Sequence, residues 1–190
     1  IDMADHFLEK AAAFIENKNE QPFFLYYALQ QPHVPRTPHP RFEGVTDLGP
    51  RGDVIAEADW CIGQLTQALE KAGILENTLI ILSSDNGPVL NDGYYDDAAE
   101  LNGSHTPWGP FRGGKYSLFE AGTRVPFIVY WKDHITPGVS DALISQLDIF
   151  SSLAALTGSN LRGPDSKELM DLLMGESNQG REELIVEAMG

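Results

Sequence analysis

The stretch NTLIILSSDNGP, residues 77–88, decides how the chain is read. Four aliphatic residues, Leu79 to Leu82, stop abruptly at Ser83-Ser84-Asp85-Asn86-Gly87-Pro88, six residues that cannot extend an apolar run. A short continuous apolar run closed by turn residues fits a strand covered on both faces, with a polar loop at its carboxyl end. Two more such runs follow the same rule, PFFLYYAL at 22–29 and RVPFIVYW at 124–131. Between them the period changes to that of a helix. Phe7, Ala11, Phe14 and Ile15 mark a first helix over 3–17, with Asp2 or Asp5 as its cap. Ile55, Ala58, Ile62, Leu65 and Leu69 mark a second, over 53–71, ending before Gly73. A third is expected over 147–156, a short one near 167–174, and short strands in SDALISQ and ELIVEA. The alternation predicts an α/β class, a three-layer α/β/α arrangement around a largely parallel mixed sheet.

Composition narrows the function. The chain has 190 residues, 28 acidic against 13 basic, for a net charge of −15. That balance argues against nucleic acid or an anionic membrane as partner, and an anionic substrate would need a local cationic pocket. No apolar run approaches the roughly 20 residues of a membrane-spanning helix. The first residue is Ile1, with no leader-like segment behind it, which reads as a boundary within a longer protein. A single cysteine, Cys61, leaves no internal disulfide and no cysteine-rich zinc site; inside the second helix it reads as a buried structural thiol.

In open α/β sheets ligands gather beyond the carboxyl ends of strands, and three loops there carry unusual chemistry. QQPHVPRTP presents His33 between two prolines. SSDNG presents Asp85 and Asn86, a charged and a neutral oxygen that suit a hard cation such as Ca²⁺ or Mg²⁺, or else an ordinary turn. RGGK presents Lys115 behind paired glycines that let backbone and ammonium approach an anion, although it lacks the spacing of a nucleotide-binding P-loop. The insert 86–120 that joins them is longer than connecting loops usually are.

Taken in order, FLYYALQQPHVP at 24–35, NTLIILSSDNGP at 77–88 and RGGKYSLFEAGTRVPFIVYW at 112–131 resemble the sulfatase family, the arylsulfatase branch of the alkaline phosphatase superfamily. The nearest likeness is to bacterial glycan sulfatases. The resemblance implies that Asp85 and Asn86 are metal ligands, commonly for Ca²⁺. It implies that Lys115 and His33 bind sulfate, with His33 protonating the leaving group. His105, in NGSHTPWGP, and Trp108 fall in a loop near the pocket mouth and are candidate sugar contacts. Arg112 and Arg124 flank Lys115 and raise the local potential, Arg124 also as a structural residue at a strand start.

The family's nucleophile is a formylglycine made from Cys or Ser in a C/S-x-P-x-R motif, and these 190 residues contain no such motif. The resemblance therefore points to the middle-to-late part of a sulfatase catalytic domain over 1–190, without the nucleophile segment and without the smaller C-terminal subdomain. The expected parent hydrolyses sulfate esters on carbohydrate, in the periplasm or outside the cell, and the isolated chain is expected to be inactive. Two other readings stay open: a non-catalytic module that binds sulfated glycan or serves structurally, and a phosphodiesterase or phosphonate hydrolase of the same superfamily.

Overall fold

Two helices packed side by side, with Ala4 and Leu8 of the first against Cys61 of the second and Ile15 against Ala68 and Leu69, form the best-packed part of the molecule. The computed structural model describes residues 3–17 and 21–187. Helix α1 spans Met3–Glu16 and helix α2 spans Gly49–Lys71. Helix α2 starts four residues before the expected Asp53, because Pro50 sits at its first turn, where a missing N–H costs nothing. The proposed Asp2 cap lies outside the described residues. Asp5 is paired with Arg41.

The buried face of α1 keeps the expected Ala11 and Ile15 but not Phe7 and Phe14. Ala4, Leu8, Ala11 and Ile15 are buried, whereas Phe7 and Phe14 remain half exposed. Both stripes have helical spacing, and packing selects the one whose small residues let α2 approach closely. On α2 the stripe facing α1 includes Cys61, Leu65 and Ala68. Ile55, expected on the buried face, is exposed. Cys61 is fully buried, and burial, followed by the Glu57 charge, pushes its thiol up to about 11. An unreactive structural thiol is the result.

Residues 22–29 depart most from the sequence reading. They run extended, with Phe23, Leu25, Tyr27 and Leu29 packed on α1 and α2, while Phe24 and Tyr26 stand 74% and 82% exposed. Only one face is covered among the described residues. No backbone hydrogen bond joins this segment to another among the described residues, so it is strand-like in shape without being a strand. The two-residue period is kept because alternate side chains find the helices. Amide exchange should show the absence directly: amides of 23–29 should exchange at least ~10³-fold faster than those of Cys61 to Leu65. Protection equal to that of the helix would mean that the segment is paired.

The sheet found is small. Strand β1, Ile80–Ser83, pairs antiparallel with β2, Phe127–Tyr130, with Ile80 opposite Tyr130 and Ser83 opposite Phe127. The largely parallel mixed sheet expected from the alternating pattern is not what the described residues form. Parallel pairing needs 22–29 beside β1, and that contact is replaced by a cleft. The described residues also include the short α-helices α3, Ala98–Leu101, inside the long insert, α4, Glu120–Thr123, just before β2, and α6, Met170–Leu173, in the expected 167–174 region. Helix α5, Leu147–Leu156, falls as expected and faces the cleft with Ile149, Phe150 and Leu153. SDALISQ and the described part of ELIVEA carry no strand.

Candidate functional site

The cleft between 22–33, β1 and α5 has a volume of about 2760 Å³, and one end of it gathers the candidate residues. His33, Asp85, Asn86 and Lys115 all line it, as does Trp108. His105 does not line it; its loop turns back on itself through a His105 N–H donating to Asn102 O at 3.1 Å.

Asp85 and Asn86 leave the end of β1 in a turn fixed from the opposite strand's side. Gly87 N–H donates to Gly122 O at 2.9 Å, and a Cβ on Gly87 would lie 1.7 Å from Ala121 O. Lys115 N–H donates to Pro88 O at 3.0 Å, and a Cβ on Gly114 would lie 2.6 Å from that same oxygen. Glycine is required at both positions because backbone meets backbone. These contacts make the SSDNGP turn, the RGGK loop and α4 one unit, which places Lys115 beside the end of β1. Asn86 donates its Nδ2 to Gly87 O at 2.8 Å, leaving its Oδ1 as the free donor atom of the amide. Asp85 is exposed. The two oxygens fit part of the shell of a hard cation, which takes six or more such ligands. Among the described residues no group of three or more His, Cys, Asp or Glu side chains stands ready to hold a metal.

His33 is held by a turn, its N–H donating to Gln30 O at 2.9 Å. Its ring donates from Nδ1 to Val34 O at 2.7 Å, since a carbonyl can only accept; Nε2 is therefore the nitrogen turned to the site. The His33 loop is fixed from α2: Glu57, almost fully buried, accepts from Gln31 Nε2 at 3.2 Å and from His39 N–H at 3.3 Å.

Three features were not legible in the sequence. Asp92 accepts from Lys115 Nζ at 2.9 Å and from Tyr116 Oη at 2.7 Å, and lies 3.6 Å from His33 Nε2. The Tyr116 hydroxyl first, then the Lys115 ammonium, hold the Asp92 carboxyl below its usual range; in turn the hydrogen bond to Asp92, with a smaller part from Tyr116, raises Lys115. Arg36, 5% exposed, clamps the base of the Asp92 loop by donating to Val89 O and Leu90 O and pairing with Asp96 at 2.9 Å, while its Nε donates to Pro32 O. Glu57 is the third. All these contacts join residues 18 to 60 positions apart, except that from Arg36 to Pro32, and local pattern carries no sign of them. Arg112 stacks on Phe119 and Arg124 on Phe111, the latter also paired with Glu120, so both cations are engaged beside the site.

The sulfatase family model matches residues 2–159. The chain is 50% identical over 187 residues to an N-acetylgalactosamine-6-O-sulfatase of Bacteroides thetaiotaomicron, covering 97% of this chain and 37% of that protein. It is 36% identical to human arylsulfatase A over 169 residues, 88% of this chain and 32% of that one. Among solved structures, one concerned with glycosaminoglycan metabolism by Bacteroides thetaiotaomicron superposes with a TM-score of 0.92 at 50% identity, over 95% of this chain and 38% of that one. A Pseudoalteromonas sulfatase superposes with a TM-score of 0.76 at 29% identity, over 95% and 35%. The chain thus spans about a third of the length of these relatives, as part of their alkaline-phosphatase-like domain. With a family match over most of its length and the residues of three separated motifs meeting in one cleft, the chain belongs to the sulfatase family.

Proposed function

We propose that this chain supplies the cation-ligating and sulfate-binding part of a sulfuric ester hydrolase that acts on sulfated carbohydrate. The observation that carries the reading is the convergence of Asp85, Asn86, His33 and Lys115 in one cleft from segments up to 82 residues apart in the chain. Asp85 and the free Oδ1 of Asn86 would hold a divalent cation, Ca²⁺ or Mg²⁺. When bound, that cation draws charge from the sulfuryl oxygens as the ester breaks. Lys115 sets a fixed positive charge against the same group. His33, with Nδ1–H committed to Val34 O, meets the substrate through Nε2 and, in the doubly protonated imidazolium form, hands the Nε2 proton to the departing alcohol oxygen, leaving neutral imidazole.

These residues include no C/S-x-P-x-R motif, so a formylglycine nucleophile would come from sequence other than these 190 residues. The name of the 50% identical relative supports a 6-sulfated N-acetylgalactosamine unit as the substrate class. Trp108 at the cleft, and His105 on the exposed loop beyond it, are the proposed sugar contacts. A periplasmic or extracellular location goes with this substrate; among the described residues no helix is long and apolar enough to cross a membrane.

The test uses the chain as it stands. Incubated with an aryl sulfate and Ca²⁺, it should release no sulfate, and sustained release free of contaminating enzyme would overturn the division of labour. Calorimetry should show Ca²⁺ binding that is weak in the wild type and lost in Asp85→Ala. Binding that is unchanged by Asp85→Ala would remove the cation assignment.

A further inference from the structure

We propose that the Asp92 carboxylate is a resident anion seated between Lys115 and His33, and that a sulfate group binds this site by displacing it. The inference rests on the sulfate-binding role proposed above.

One oxygen carries the argument. Asp92 Oδ2 lies 2.9 Å from Lys115 Nζ and 3.6 Å from His33 Nε2. A sulfate oxygen that met both side chains together would need the place this oxygen holds. The two anions cannot share the seat, because like charges at contact distance in a partly screened cleft repel strongly. Asp92 is also not an idle surface acid: its side chain is 9% exposed and its other oxygen accepts from Tyr116 Oη at 2.7 Å. The depressed titration of its carboxyl, set by Tyr116 and then Lys115, keeps it anionic throughout the neutral range, so protonation does not clear the seat.

The loop is built to let the carboxylate leave without unfolding the site. Arg36 fixes its base through Val89 O, Leu90 O and the Asp96 carboxylate. Its tip, Asn91 with Gly93 to Tyr95, is exposed, and Gly93 sits at φ +77°, a left-handed conformation open to glycine in both directions. A turn of the tip about Gly93 carries Asp92 outward while the Arg36 clamp stays closed. The seat then acts as a filter: a ligand must offer more to Lys115 and His33 together than one carboxylate oxygen does. Sulfate, with several acceptor oxygens, meets that condition, and a neutral sugar does not.

Titration of inorganic sulfate into the chain, followed by calorimetry and by amide shifts of the 112–117 loop, tests the proposal. Asp92→Asn should bind sulfate at least about tenfold more tightly than the wild type, a gain of about 1.4 kcal/mol. Tyr116→Phe keeps the ring under the Lys115 ammonium and removes only the second tether of Asp92; it should tighten binding about threefold. Tyr116 is 60% exposed, so this variant folds even where Asp92→Asn does not. Unchanged or weaker binding in Asp92→Asn, or in Tyr116→Phe where the first variant misfolds, overturns the proposal and makes Asp92 a positioning residue for Lys115. So does the absence of any binding by Asp92→Asn. Sulfate affinity that survives Lys115→Ala overturns the sulfate-site reading itself, an outcome separable from the others.

Discussion

Lys115→Ala should lower kcat/KM for sulfate-ester hydrolysis by about 10²–10³-fold in an active sulfatase that contains this segment, the loss typical of removing one preorganised charge from a reacting group. The ammonium is 15% exposed and, until sulfate takes the place of the carboxylate, is held by Asp92 at 2.9 Å with Tyr116 alongside. Its raised pKa, set first by the Asp92 hydrogen bond, keeps it charged at every pH at which the enzyme would work. The effect should fall mainly on kcat if Lys115 contacts the oxygen that gains charge as the bond breaks, and mainly on KM if it holds sulfate equally in both states. Lys115→Arg should rescue poorly, since a planar fork does not reproduce a point charge beside Gly114. Steady-state kinetics at saturating Ca²⁺ decide the matter; a loss under about tenfold would mean that another cation does this work.

The second large effect concerns stability. Asp148, at the start of α5, is fully buried and accepts four hydrogen bonds: from Ser145 N–H and Arg181 Nε on Oδ2, and from Lys167 N–H and Arg181 Nη2 on Oδ1. It ties the loops before α5 and α6 to the last described stretch of chain. Asp148→Ala leaves Arg181, 10% exposed, and two backbone N–H groups without their acceptor, and should cost about 3–5 kcal/mol. Urea unfolding measures it, and limited proteolysis should find the 159–187 region opened first. Burial alone would raise the Asp148 carboxyl; the Arg181 guanidinium and the two N–H groups override it and hold it below 3.8. With the folded pKa depressed, the stabilisation is complete above the ordinary value of 3.8 and lost as pH falls through the lower folded value. The gap between wild type and Asp148→Ala should therefore be full at neutral pH and narrow only below that point. A gap that stays constant into strong acid would show that Asp148 acts by packing rather than by charge.

Particular residues show where sequence reading reached its limit. The helix over 147–156 and the strand at the centre of NTLIILSS were legible because their signals are local. In α1 the expected Ala11 and Ile15 are shared by a stripe that adds Phe7 and Phe14 and one that adds Ala4 and Leu8, and only the approach of α2 selects between them. PFFLYYAL has the composition of a doubly covered strand, but strand pairing depends on a neighbour that no local pattern names. In the site, His33, Asp85, Asn86 and Lys115 were recognisable by type and by position at loop mouths. Asp92 was not, because one aspartate in the run NDGYYDD looks like the other two until Lys115 and Tyr116 are brought against it.

The sequence by itself determined the family, helices α1, α2, α5 and α6, and the identity of the cation-ligating and sulfate-binding candidates, since those rest on residue type and on spacing along the chain. Only the tertiary structure decided which helix face is buried, that 22–29 runs unpaired among the described residues, and that a carboxylate already occupies the place between Lys115 and His33. Each of these depends on contacts between residues far apart in the chain, and such contacts follow from packing rather than from local order.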